Sequence, residues 1–154
     1  MSHTHENRDD KVSLVEMGPR DGLQNETATL SLAQRLALIA HLAESGLQRI
    51  EVGAFVSPKK VPQMADSAAL FNALPRRGPT RYGALVPNLQ GLQAAVAARA
   101  DEIGLFTACS DGFTRANIGI SVEESLVRFA PLVQEARSLG IKVRGYLSTV
   151  IACP

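Results

Sequence analysis

The sequence predicts an α/β protein built on a parallel sheet, and three observations lead there. Apolar strand-like runs alternate with helical patterns from Val12 to the end of the chain. The helical segments carry start and stop signals: Ser31 with Gln34 and Ser121 with Glu124 form capping boxes, while Gly46 and Gly140 close the ends. The connections are short, and short strand-helix-strand crossovers are right-handed and leave the strands parallel. Two architectures share this pattern, a doubly wound open sheet and a (β/α)8 barrel, and periodicity alone does not separate them.

Taken in order, residues 12–16 read as the first strand. A helix follows over 31–45, because Leu32, Leu36, Ile39 and Ala43 recur on one face. Residues 49–52 form the second strand. Pro58 and Pro62 mark a looser segment before a helix over 63–74. Residues 81–86 form the third strand, Asn88 caps a helix running to about 98, and residues 102–106 form the fourth. The helix opened by Ser121 presents Val122, Leu126, Phe129, Val133 and Ala136 as its apolar face, and residues 143–149 form the fifth strand. Pro131 falls inside that helix, where it removes a hydrogen bond and crowds the preceding turn at a cost of roughly 3 kcal/mol. A kink or two shorter helices is therefore expected.

A chain of 154 residues, 45% apolar and 20% charged with a net charge of +1, describes one soluble domain with a sizeable core. The near-neutral balance provides no electrostatic footprint for nucleic acid or an anionic membrane. No apolar run approaches the roughly 20 residues needed to span a bilayer. Residues 1–11 read as a flexible polar tail, without a hydrophobic signal core and too acidic for organelle targeting, so the expected compartment is the cytoplasm. Residues 12–154 carry the domain. Two cysteines, Cys109 and Cys153, are too few for a disulfide framework. Each sits where a strand should end, either as a small buried hydrophobe at the core's edge or near a site.

In both candidate architectures ligands bind at the carboxyl ends of the strands, so polar residues there carry the interest. Arg20, Asp21, Gln24 and Asn25 cluster after strand one. Arg20 could stabilise a developing oxyanion, and Asp21 could ligate a hard divalent cation. The plainer alternative is an incidental ion pair in a surface loop. Glu51 lies inside strand two between Ile50 and Val52, where a buried carboxylate costs several kcal/mol unless paired. Pairing with Arg20 satisfies both groups and leaves Glu51 as a general base or an orienter of Arg20. Ser57, Lys59 and Lys60 could hold a phosphate or carboxylate, although a lysine pair is more often simply solvated. Cys109, Ser110, Asp111 and residues 114–117 are polar enough to line a pocket. His3 and His5 have an H-x-H form but lie in the tail, where nothing orients the rings; His41 reads as a surface residue. No G-x-G-x-x-G follows a strand and no phosphate-loop motif occurs, so nucleotide binding lacks support.

The stretch Val15-Glu16-Met17-Gly18-Pro19-Arg20-Asp21-Gly22-Leu23-Gln24-Asn25-Glu26 resembles the opening of hydroxymethylglutaryl-CoA lyases. The resemblance continues through Ile50-Glu51-Val52, Phe55-Val56-Ser57-Pro58-Lys59, Val61-Pro62-Gln63-Met64 and Pro87-Asn88-Leu89-Gln90-Gly91. Asn117-Ile118 and Val143-Arg144-Gly145-Tyr146, ending at Cys153-Pro154, extend it over the rest of the chain. Related α-isopropylmalate and homocitrate synthases usually lead into Arg-Asp with an Asp-Thr-Thr-type sequence. Glu16-Met17-Gly18-Pro19 stands there instead, which favours the lyase branch.

The resemblance implies the amino-terminal part of a (β/α)8 TIM barrel, with about five parallel strands out of eight. It implies Arg20 and Glu51 as catalytic residues, Asp21 as a ligand of Mg²⁺ or Mn²⁺, and Arg20, Gln24 and Ser57 as substrate-binding residues. The reaction implied is cleavage of 3-hydroxy-3-methylglutaryl-CoA, an acyl-CoA, to acetyl-CoA and acetoacetate, in leucine breakdown and ketone-body formation. The family's remaining metal ligands, a His-x-His pair and an asparagine, and its catalytic cysteine come from later strands. The chain is therefore expected to form a homo-oligomer or to need a carboxyl-terminal half for activity, and the sheet edges are expected to stay open. The competing expectations are a truncated non-catalytic remnant and a related carbon-carbon lyase or synthase acting on another acyl-CoA or a 2-oxo acid.

Overall fold

Ser31, Asn88, Ser110 and Ser121 each turn a side-chain oxygen onto a backbone N–H three residues on, and each opens a helix. In this computed structural model, which describes residues 12–76 and 78–153, they start α1 (Leu32–Glu44), α3 (Leu89–Ala97), α4 (Asp111–Ile118) and α5 (Val122–Ser138). A shorter helix, α2 (Ser67–Ala73), lies between α1 and α3. The Ser31 and Ser121 boxes are reciprocal: Gln34 and Glu124 accept from the capping residues' own N–H groups at 2.9 and 2.6 Å. Gly46 and Gly140, past α1 and α5, adopt φ of +93° and +71°, a conformation that disfavours side chains.

Four strands, β1 (Arg49–Ala54), β2 (Arg81–Leu85), β3 (Glu102–Ala108) and β4 (Lys142–Ser148), form one parallel sheet in sequential order. Its two faces differ in chemistry. Ile50, Val52, Tyr82, Ala84, Ile103 and Leu105 form a core with Leu70, Phe71, Leu92 and Leu132 from the helices, each burial stabilising by roughly 1.5–3 kcal/mol for the larger side chains. Glu51, Gly83, Glu102, Gly104, Arg144 and Tyr146 follow the opposite parity.

Register in β1 slips after Glu51, since Glu51 pairs with Gly83 while Gly53 pairs with Ala84. Side chains serve the backbone around this bulge. Arg35, buried on α1, donates from Nη2 to the Val52 carbonyl at 2.9 Å and from Nη1 to Asp66. Ser67 Oγ accepts from the Ala54 N–H at 3.1 Å. Bulges recur beside functional sites because they re-aim neighbouring side chains.

The α/β class and the parallel order agree with the sequence, and several details correct it. The first predicted strand, residues 12–16, makes only one parallel bridge, Glu16 to Ile50, held by Glu16 N–H to Arg49 O and Glu51 N–H to Glu16 O. Val12 and Leu14 are 86% and 68% exposed, with no apolar surface to hold a longer ladder. The described sheet thus has four strands rather than about five. The helix expected over 63–74 is a 3-10 turn, Pro62–Met64, followed by α2. Pro131 does not divide α5, which runs unbroken for 17 residues. The buried face of α5 is Ser125, Phe129, Leu132 and Ala136; Leu126 is exposed. Ser125 can be buried because its hydroxyl meets Thr107 Oγ1 at 2.6 Å and donates to Val122 O. Cys109 and Cys153 are both exposed rather than core thiols, since each follows the sheet's open carboxyl end. The readings of residues 1–11, with His3 and His5, lie outside the described residues.

Candidate active site

Between the bridge at Glu16 and α1, residues Gly18–Gly22 wind into a single π-helical turn with Pro19 near its start. Such a turn is wider than an α-turn and is frequent at functional sites. It buries Arg20 and leaves Asp21 at the surface, their side chains 7% and 57% exposed.

Arg20 donates from Nε to Glu51 Oε1 at 2.5 Å and from Nη1 to Asp21 Oδ1 at 2.7 Å. Glu51 is buried in β1, and its second oxygen, Oε2, accepts from the Tyr146 hydroxyl at 2.6 Å. Both carboxylate oxygens are thus engaged, which fits an orienter of Arg20 better than a general base. Burial, then the hydrogen bond and charge of Glu51, push the Tyr146 phenol well above its ordinary range, so it stays protonated and donates its hydrogen bond to Glu51. Gln24 reaches toward Asp21 Oδ1 at 3.4 Å, and Asn25 holds the Asp21 carbonyl at 2.7 Å.

Arg20, Asp21, Gln24 and Tyr146 border a cleft of about 370 Å³ at the carboxyl ends of the strands. It is lined by Met17, Arg20, Asp21 and Gln24, by Leu85, Phe106, Tyr146 and Ser148 of the strands, and by Phe113 and Asn117 of α4. Phe106 and Phe113 pack edge-on with centroids 6.3 Å apart and make part of the lining apolar.

Of the expected site residues, Arg20, Asp21 and Gln24 line the cleft, and Glu51 lies directly behind Arg20. Ser57 does not line it: it sits exposed in a turn after β1, its carbonyl accepting from Lys60 and Val61. Lys59 and Lys60 are solvated, and Asn88 caps α3 through Gly91 N–H at 2.9 Å. His41 is exposed. Among the described residues no three His, Cys, Asp or Glu side chains converge as a metal site, and no helix is long and apolar enough to cross a membrane. Asp21 Oδ2 accepts no hydrogen bond among the described residues and is open to a cation, so this chain fits one anionic ligand position of such a centre.

Residues 11–152 match the HMGL-like family model. The chain belongs to the HMGL-like family. Over 144 residues it is 48% identical to the 3-hydroxy-3-isohexenylglutaryl-CoA/hydroxymethylglutaryl-CoA lyase of Pseudomonas aeruginosa, covering 94% of this chain and 48% of that relative. A crystal structure of hydroxymethylglutaryl-CoA lyase from Pseudomonas aeruginosa superposes with a TM-score of 0.90 at 48% identity, over 94% of this chain and 48% of that one. An HMG-CoA lyase from Acinetobacter baumannii, solved with coenzyme A and 3-methylmalate, matches with a TM-score of 0.87 at 33% identity, over 92% of this chain and 46% of that one. The four-stranded sheet is thus a partial TIM barrel. This HMGL-like chain spans about half the length of the relatives it matches.

The site's most informative residue beyond those expected is Tyr146. A signal was present: in residues 143–149, Arg144, Tyr146 and Ser148 share the parity opposite the apolar Val143 and Leu147. Helix α4 was also readable, from Ser110 as a cap and Gly119 as a stop.

Proposed function

We propose that this chain supplies the Arg20–Asp21 half of a hydroxymethylglutaryl-CoA lyase site. The reaction cleaves 3-hydroxy-3-methylglutaryl-CoA: the C3 hydroxyl loses its proton, the C2–C3 bond breaks, and its electron pair passes to the thioester enolate. Protonation of that enolate gives acetyl-CoA, and the new carbonyl is that of acetoacetate. The observation that carries this reading is a buried guanidinium, fixed by Glu51 and bordering a cleft beside an exposed carboxylate.

Negative charge develops on the enolate oxygen, and preorganised donors in a water-poor site stabilise it without reorganising. Arg20 is such a donor: Nε and Nη1 are committed, while Nη2 has no partner among the described residues. Glu51 keeps the guanidinium turned toward the cleft. Asp21 would hold the divalent cation, Mg²⁺ or Mn²⁺, which when bound polarises the substrate's hydroxyl and nascent carbonyl. Gln24 steadies Asp21 and is within reach of a bound acyl group. Further ligands must come from outside the described residues, so turnover requires the rest of a barrel. A cytoplasmic location belongs to this reading.

A second reading, a 3-hydroxyglutaryl-CoA with a longer C3 substituent, is favoured by the Leu85, Phe106 and Phe113 lining.

The test is a chimaera in which residues 12–152 replace the matching half of the Pseudomonas aeruginosa lyase. Acetoacetate release from 3-hydroxy-3-methylglutaryl-CoA with Mg²⁺ is expected, and Arg20→Gln should abolish it. A folded chimaera that releases none overturns the proposal.

A further inference from the structure

We infer that Tyr146 is a positioning residue that sets the aim of Arg20 through Glu51. This rests on Arg20 being the group that stabilises the oxyanion. Glu51 is on β1 and Tyr146 on β4, with β2 and β3 between them. The phenol spans that distance over residues without side chains: Gly83 stands opposite Glu51, and Gly104 lies under the ring. A Cβ at Gly104 would come within 2.6 Å of the Tyr146 ring and 3.0 Å of Glu51 Oε2, so the glycine is what admits the contact.

A carboxylate facing a guanidinium tends to engage it through both oxygens. Here the Tyr146 hydroxyl takes Oε2 at 2.6 Å, leaving Oε1 alone on Arg20 Nε. Nη1 can then hold Asp21, and Nη2 is left for a ligand in the cleft. Without the hydroxyl, Glu51 Oε2 becomes a buried unpaired acceptor, and the carboxylate, no longer anchored from behind, is free to turn and loosen Oε1 from the Arg20 Nε–H. Arg20 then loses the fixed orientation that gives Nη1 to Asp21 and leaves Nη2 to the cleft.

Tyr146→Phe removes the hydroxyl and keeps the ring; Gly104→Ala displaces the ring; Leu147→Ala, an exposed neighbour on β4, is the control. The first readout is hydrogen exchange of the Arg20 Nε–H by ¹⁵N NMR, with the signal assigned by its loss in Arg20→Lys. Exchange should quicken by about tenfold or more in Tyr146→Phe and Gly104→Ala, and not in Leu147→Ala, with far-ultraviolet circular dichroism unchanged. The second readout, in the chimaera, is a fall in kcat of about 10²-fold with KM nearly constant, the scale expected of a small misplacement at a reacting centre. A folded Tyr146→Phe protein with unchanged Arg20 exchange overturns the inference. Should Tyr146→Phe fail to fold, Gly104→Ala is judged by the same criterion. Faster exchange with unchanged kcat supports the positioning role and overturns instead the assignment of Arg20 to the chemistry.

Discussion

Arg20 Nε and Glu51 Oε1 meet at 2.5 Å across 31 residues of sequence, with side chains 7% and 4% exposed. Taking both charges out of water is expensive, and their attraction offsets that only while both are present. Arg20→Met should destabilise the protein by about 3–5 kcal/mol, because Glu51 stays buried without its cation. The double variant Arg20→Met/Glu51→Leu should recover most of that loss. Urea unfolding followed by circular dichroism measures the cycle, and additive single effects would contradict the pairing.

Alkaline stability should report on the two tyrosines. Burial raises the phenols of Tyr146 and Tyr82 above their ordinary value, and Glu51 adds to the effect at Tyr146. In the unfolded chain both ionise near pH 10. Above that point the folded state keeps protons the unfolded state gives up, so stability should fall as pH rises. Tyr146→Phe should flatten the fall, measured by denaturant titrations between about pH 9 and about pH 11.5.

The acid side depends on the cap of α5. Hydrogen bonds from the Ser121 backbone N–H and then its side chain hold the Glu124 carboxyl below the usual range. Stability from this group is present above the unfolded value, near pH 4.3, and is lost as pH falls through the lowered one. Glu124→Gln should lessen the pH dependence of thermal unfolding in that window. Ser121→Ala should remove about 0.5–2 kcal/mol at neutral pH.

Metal affinity isolates Asp21. In the chimaera, Asp21→Ala should weaken Mn²⁺ binding by at least about tenfold, read by electron paramagnetic resonance. Ser57→Ala should leave it unchanged, because Ser57 lies in a turn away from the cleft. Equal affinity in Asp21→Ala and the parent would remove Asp21 from the metal's ligands.

Legibility in the sequence followed the range of the interaction involved. The caps at Ser31, Asn88 and Ser121 were readable because a cap is completed within three residues. The Arg20–Glu51 pair was readable because a carboxylate inside an apolar strand demands a cation. Tyr146 was harder to assign, since its partner lies 95 residues away and its own type needs none. Arg35 gave no signal: within α1 it has the spacing of any helix-surface arginine, and only the bulge in β1 and Asp66 explain its burial. The buried face of α5 is offset by one position from the apolar pattern because Ser125 is polar yet buried, through a hydroxyl partner on β3.

Consecutive residues of β3 answer to different neighbours. Ile103, Leu105 and Thr107 press on the helices, whereas Glu102 faces Arg49, Gly104 lies under Tyr146, and Phe106 borders the cleft. A saturation library across this strand should therefore sort by odd and even number. Odd positions should reject changes of volume whatever their chemistry, and show it as lost yield of folded protein. Even positions should pass that screen more often and fail later, as a chimaera that accumulates normally and releases no acetoacetate.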